Sequence, residues 1–242
     1  MLNGLDGNDT ISCVGNLAGI GVPLTLNGGL GNDTLLGSNG NDLLLGGPGT
    51  DFVDGNQGND TAYLGENDDT FQWDPGDGND IVEGQQGDDK LLFNCSNIGE
   101  NLSLSAVGSR LQLTRNIGSI TLDADGLERV YTQMLGGVDN ITINNLAGTT
   151  ITQVNIDLAS TFSGSSGDTA NDTITINGTP AADVFTIKAN AGVVETTGLS
   201  TEVRISHSEP AYDYLIINGL DGADSFTADS GVSSLINVLT ND

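Results

Sequence analysis

Basic residues are scarce in this chain: 6 Lys and Arg stand against 33 Asp and Glu, a formal net charge of −27 at pH 7 over 242 residues. Such a surface repels phosphates and anionic lipid headgroups, which argues against nucleic acid and membrane partners and favours cations. The single histidine, His207, lies in Ile205-Ser206-His207-Ser208-Glu209 and reads as an exposed loop residue. The two cysteines, Cys13 and Cys95, fit no CxxC or Cys/His metal spacing and read as unpaired, partly buried thiols. No apolar run approaches the ~20 residues of a membrane-spanning helix, so no membrane insertion is expected. The start, Met1-Leu2-Asn3-Gly4, lacks the charged and apolar regions of a cleavable signal peptide. GxSxG, HExxH and Walker sequences are missing, and the chain is not expected to be an enzyme. Helical periodicity is missing too, and 35 glycines oppose long helices, so the fold class is all-β.

What is abundant is glycine in phase with aspartate. From Gly28 the chain reads in nines: GGLGNDTLL, GSNGNDLLL, GGPGTDFVD, GNQGNDTAY and LGENDDTFQ, then, after Trp73-Asp74, PGDGNDIVE and GQQGDDKLL. Position six is always aspartate: Asp33, Asp42, Asp51, Asp60, Asp69, Asp80 and Asp89. Position four is Gly31, Gly40, Gly49, Gly58, Gly78 or Gly87, with Asn67 as the one alternative, and position eight is always apolar. Six turn residues followed by a three-residue strand, with position eight inward, account for this pattern. Glycine serves turns that visit positive φ, and Asn67 is the next most tolerant residue there. The asparagines at position five read as turn formers. Calcium takes six to eight oxygens in irregular geometry, and a glycine-rich turn with one carboxylate supplies such oxygens when two turns stack.

A phased nonapeptide of this kind resembles the RTX, or hemolysin-type, calcium-binding repeat. The resemblance implies a right-handed parallel β-roll with two units per coil and Ca2+ between turns one coil apart. Carried onto this chain, it pairs Asp33 with Asp51, Asp42 with Asp60, and Asp51 with Asp69. Carbonyls would come from positions one to four, including Gly28, Gly29, Gly31, Gly40, Gly46, Gly47, Gly49 and Gly58. The two extra residues Trp73-Asp74 put the Asp60/Asp80 and Asp69/Asp89 pairs in question. Three ions are expected in the regular part and at most two after Trp73. In the even-numbered units the outward residues Leu43, Leu45 and Tyr63 make the more apolar face, expected to be covered by another segment or a partner.

Four segments are expected: 1–27, a leading strand and lone repeat; 28–93, the calcium-binding β-roll; 94–135, antiparallel hairpins; and 136–242, degenerate β-solenoid coils. The alternation in Asn101–Ser105, Arg110–Arg115 and Ser119–Leu122 carries the hairpin reading. The arginines there read as exposed strand residues paired with nearby acids. Further on, ITIN at 141–144 recurs at 174–177, and 174–187 matches 215–228. Ala170 and Ala181 replace glycine at position four, so those turns are expected to lose calcium while keeping the strand. LNGLDG at 2–7 reappears as INGLDG at 217–222, suggesting an excerpt of a longer tandem array whose further repeats would be partners. The function expected is a calcium-binding structural module of a secreted or cell-surface bacterial protein that folds on binding Ca2+. A polysaccharide- or ice-binding adhesin module, and the non-catalytic repeat region of a type I-secreted enzyme, remain as alternatives. The first of these lacks a regular outward ladder of threonine or aromatic residues.

Overall fold

The computed structural model describes residues 1–13 and 21–242; part of the interruption read at 12–27 lies outside the described residues. The strands of the first half are β1 (Leu2–Asp6), β2 (Thr10–Ser12), β3 (Thr25–Leu30), β4 (Thr34–Leu36), β5 (Leu43–Pro48), β6 (Phe52–Asp54), β7 (Thr61–Glu66), β8 (Thr70–Trp73), β9 (Ile81–Gln86) and β10 (Lys90–Asn94). They alternate between two parallel sheets, β1-β3-β5-β7-β9 and β2-β4-β6-β8-β10. Two nonapeptides therefore make one coil. Strands β3, β5, β7 and β9 are six residues where three were expected, because pairing continues into the turn, as Gly47 with Gly65 and Pro48 with Glu66.

Position eight faces inward throughout: Leu35, Leu44, Val53, Ala62, Phe71, Val82 and Leu91 are all 0% exposed. A fully buried Leu or Val of this kind contributes about 1.5–3 kcal/mol. The extra residues Trp73-Asp74 do not break the stack. Trp73 turns inward, stacks on Phe93 at 4.3 Å between ring centroids, and donates Nε1–H to the Gly78 carbonyl at 2.9 Å. Asp74 accepts from Asn94 Nδ2 and Gln72 Nε2, both at 2.7 Å, in the lengthened turn.

The expected hairpins follow as a meander, β11 (Asn101–Val107), β12 (Arg110–Arg115) and β13 (Ile120–Asp125). Its last strand pairs parallel with β9 and its first with a later coil, so the meander fills two extra places in the first sheet. Next come β14 (Arg129–Gln133), β15 (Asn140–Ile143), β16 (Gln153–Asp157) and β17 (Thr173–Asn177). A second meander, β18 (Val184–Asn190), β19 (Val193–Thr197) and β20 (Glu202–Ser206), does the same in the opposite sheet, before β21 (Tyr214–Asn218), β22 (Ser225–Ala228) and β23 (Asn237–Asn241). The sheets end with 12 and 11 strands over one continuous apolar core from Cys13 to Ile236. The two meanders thus keep the sheets level.

The internal repeats of the second half are stacked neighbours. Ile141 pairs with Ile174, Ile174 with Leu215, and Phe185 with Phe226. The asparagine closing each strand builds a side-chain ladder: Asn241 donates to Asn218, Asn218 to Asn177 and Asn177 to Asn144, at 2.7, 2.8 and 2.9 Å. Each amide satisfies the next. The outward face of the even units is not sealed: Tyr63 is 40% and Ile81 44% exposed, while Leu43 and Leu45 are half-buried. No helix among the described residues is long and apolar enough to cross a membrane.

Candidate metal centre

Each acid of the array precedes a strand, and the backbone N–H of every one but Asp80 donates to an acid one coil on. In one column Asp33 N bonds Asp51 Oδ1 at 2.8 Å, Asp51 N bonds Asp69 Oδ1 at 2.6 Å, and Asp69 N bonds Asp89 Oδ1 at 2.8 Å. In the other, Asp42 N bonds Asp60 Oδ1 at 2.7 Å and Asp60 N bonds Asp80 Oδ1 at 2.8 Å. All the pairs carried over from the repeat are adjacent, including the two beyond Trp73. The first column also extends to Asp9, whose N–H reaches Asp33 Oδ1 at 2.7 Å, and to Glu128, whose Oε2 takes the Asp89 N–H at 2.7 Å. Position five has its own ladder. Asn32 Oδ1 accepts from Thr50 N and Asn41 Oδ1 from Asn59 N, each at 3.0 Å. Those asparagines bind coil to coil rather than merely shaping their own turns.

The glycines keep this stacking possible. Gly47 (φ 111°) and Gly49 (φ 151°) lie in a region that disfavours side chains, and a Cβ on either would run into the carbonyl of Gly29 or Gly31 one coil back. Gly29, Gly31 and Gly58 share the positive φ; Gly40 does not, and packs against the backbone of Gly21 and Val22. At position one a Cβ on Gly28 would strike Asp33 Oδ2 and the Gly46 carbonyl, and one on Gly46 would strike Asp51 Oδ2 and the Leu64 carbonyl. Carboxylate and carbonyl oxygens therefore converge at the corner of the roll, with no side chain between them. Asn67 adopts φ 77°, the left-handed backbone expected of it, whereas Ala170 and Ala181 do not.

One oxygen of these acids is left over. Oδ2 of Asp9, Asp33, Asp51, Asp60, Asp69, Asp80, Asp89, Asp139 and Asp224 is buried and without a hydrogen-bond partner. In each case the residue four positions earlier has positive φ: Leu5, Gly29, Gly47, Asn56, Gly65, Gly76, Gln85, Leu135 and Leu220. Where that residue is Ser38, Ser96, Thr179 or Glu209, φ is not positive. Its N–H then donates back to the acid of its own turn, Asp42, Glu100, Asp183 or Asp213, at 2.5, 3.0, 2.7 and 2.6 Å. These turns are thus open or self-satisfied according to whether φ at the second position is positive; the turn of Asp172, with Asp168 at that position, belongs to neither group. Asp42 is the self-satisfied member of the array.

Buried carboxylate oxygens facing carbonyls carry a heavy electrostatic cost unless a cation or proton joins them. Burial is the main force raising Asp51 to about 6, Asp69, Asp80 and Asp89 to about 7, and Asp60 to about 8; backbone N–H bonds oppose it and neighbouring carboxylates add to it. No three acidic, His or Cys side chains among the described residues converge to hold an ion by themselves, so backbone carbonyls must complete any site. This donor set, hard oxygens in a flexible cage, fits calcium.

These raised values fix a sign for the calcium-free protein. A carboxyl whose pKa is higher folded than unfolded binds more protons in the folded state, so stability falls as pH rises between the two values. In chelator the thermal midpoint is expected to fall from about pH 4 to pH 8, the window between the ordinary 3.8 and the highest raised value. In saturating calcium the fall should vanish or reverse, since protons then compete with the ion. Scanning calorimetry across this window checks it; a midpoint in chelator that climbs with pH would contradict it.

Several features escaped the sequence. A third column, Glu100, Asp139, Asp172 and Asp213, runs along the second half: Glu100 N bonds Asp139 Oδ1 at 2.8 Å, Asp139 N bonds Asp172 Oδ1 at 2.9 Å, and Asp172 N bonds Asp213 Oδ1 at 3.2 Å. The signal was an acid directly before an alternating strand, as in ENLSL, DNITI, DTITI and DYLII. Arg115 is not an exposed strand residue. Its side chain is 4% exposed and grips the 0% exposed Glu100, with Nε to Oε2 at 2.9 Å and Nη2 to Oε1 at 2.5 Å. Arg110 and Arg129 do pair on the surface, with Glu83 and Asp123 and with Asp88. His207 is not a free loop residue either; its Nδ1 lies 2.6 Å from Asp157 Oδ1. Cys13 and Cys95 are free and fully buried.

The family model of the RTX calcium-binding nonapeptide repeat matches residues 25–53, 45–71 and 76–92, with four copies. No curated protein matches the chain.

Proposed function

We propose, from the RTX calcium-binding nonapeptide repeats that the chain carries, that it is a structural module of a secreted or cell-surface protein and folds on binding calcium. Asp33, Asp51, Asp60, Asp69, Asp80 and Asp89 would hold the ions through their open Oδ2 atoms, with Asp42 the weakest contributor because Ser38 occupies its second oxygen. Carbonyls of the turn glycines, among them Gly28, Gly29, Gly31, Gly46, Gly47 and Gly49, supply the remaining oxygens. The observation that carries this reading is the row of buried, donorless Oδ2 atoms, recurring coil after coil across the repeats. Calcium bound there supplies the positive charge that the −27 chain lacks. Without it, stacked carboxylates repel and glycine-rich turns gain entropy on unfolding, so binding free energy becomes folding free energy.

Extracellular deployment follows the same chemistry, since a module of this kind stays unfolded where calcium is scarce and sets where it is plentiful. Far-ultraviolet circular dichroism during a calcium titration of the chelated protein tests the proposal. A cooperative gain of β-signal is expected. A spectrum that stays native after denaturant-assisted stripping of calcium and refolding in chelator would overturn it.

A further inference from the structure

Beyond the array, one turn combines the open geometry with additional carboxylates. Residues 134–139 read Met-Leu-Gly-Gly-Val-Asp, lie outside every segment that the repeat model matches, and carry no glycine at the first or second position. Yet Leu135 (φ 66°) and Gly137 (φ 131°) place positive φ at positions two and four, as the array turns do. Asp139 is 1% exposed and its Oδ2 has no hydrogen-bond partner. The following coil brings Asp172, whose Oδ1 takes the Asp139 N–H, and Asp168, whose Oδ2 takes the Gly137 N–H at 2.8 Å. Two acids of the facing turn thus bond the backbone of this one without joining Asp139 in a three-carboxylate cluster, the other Asp168 oxygen accepting the Ala170 N–H at 2.8 Å, and the basic group on the preceding coil, Arg115, is already committed to Glu100.

We propose that the turn 134–139 and the turn 167–172 together form a calcium site outside the nonapeptide array, built on the open carboxylate of Asp139 and backbone carbonyls, with Asp168 and Asp172 as the neighbouring acids of the facing turn. Asp139 offers its donorless oxygen, carbonyls of residues 134–137 offer neutral oxygens, and Asp168 caps the side facing the next coil. Hard oxygen donors and net charge favour calcium over transition metals, which seek nitrogen or sulfur. The site would fasten the second half of the solenoid at the loop 158–172, the longest link between its coils.

The test counts ions by native mass spectrometry of the full chain in calcium. Asp139→Asn keeps an acceptor for the Glu100 N–H and should bind one calcium fewer than the wild type. Asp168→Asn, at a half-exposed position, should weaken that same ion at least tenfold. Asp51→Asn should lose array ions only. If the array reading failed and this one held, the wild type would retain one ion sensitive to Asp139→Asn and indifferent to Asp51→Asn. An unchanged count in Asp139→Asn overturns the site. Should that variant not fold, unchanged affinity in Asp168→Asn does the same.

Discussion

Replacing Asp51 with alanine is expected to raise the calcium midpoint of folding at least tenfold. Asp51 does two things at once. Its Oδ1 accepts the Asp33 N–H at 2.8 Å, and its Oδ2 stands buried without a partner at the corner of the roll. Alanine leaves the Asp33 N–H buried and unsatisfied, about 1–3 kcal/mol by itself, and removes a charged oxygen from the ions on either side. Tenfold in midpoint needs only ~1.4 kcal/mol. Asp51→Asn separates the two roles, because an amide oxygen still accepts from Asp33 while the ion loses its carboxylate. It should fold at high calcium with fewer ions. Asp68→Ala is the control: Asp68 is exposed and accepts only the Asp88 N–H of its neighbouring turn, so its midpoint should stay within about twofold of wild type. Calcium titrations of the three variants by circular dichroism give the comparison, and equal midpoints for Asp51→Ala and Asp68→Ala would count against the stacked-site account.

Arg115→Met should destabilise the calcium-saturated protein by about 3–5 kcal/mol, the usual result of removing one partner from a buried ion pair. Glu100 occupies the turn position that aspartate holds in the array, and it is fully buried. Burial works to raise its pKa, but the bonds from Arg115, Ser96 and Cys95 and the charge of Arg115 outweigh it and hold the carboxyl low. The guanidinium also lies 5.4 Å from the Trp73 ring centroid. Arg115 therefore does for Glu100, from within the chain, what a bound ion would do for the open turns. The double change Arg115→Met with Glu100→Gln should recover most of the loss, since no charge is then stranded. Urea denaturation of the single and double variants checks both statements. A single variant within 1 kcal/mol of wild type would show that the pair contributes little.

The first half of the fold was legible because its period never varies. Position eight recurs every nine residues, and a strand with fixed phase must put it inside, which is where Leu35, Val53 and Leu91 lie. The acid columns of the array were legible for the same reason, with partners 18 residues apart in the regular coils. In the second half the separations become 39, 33 and 41 residues, because meanders and a long loop interrupt the coils, and a period search loses Asp139 and Asp213. Open turns at Leu5, Asn56, Gln85, Leu135 and Leu220 were hidden because glycine was the mark of positive φ, and these side chains adopt it where the stack demands it. The burial of Arg115 was written in the alternation of its strand, which puts it on the face of Leu111 and Leu113; its charge argued the other way. Nothing in the pattern foretold that Trp73 would enter the core.

The central claim is that calcium holds the array of residues 25–92 together, while the second half, with its asparagine ladder, depends on it less. Hydrogen exchange followed by mass spectrometry, with and without chelator, tests this most directly. The account predicts strong protection of the amides of Asp33, Asp51 and Asp69 in calcium and its loss in chelator, with peptides from 140–218 retaining most of theirs. Equal protection of the array in both conditions would contradict it.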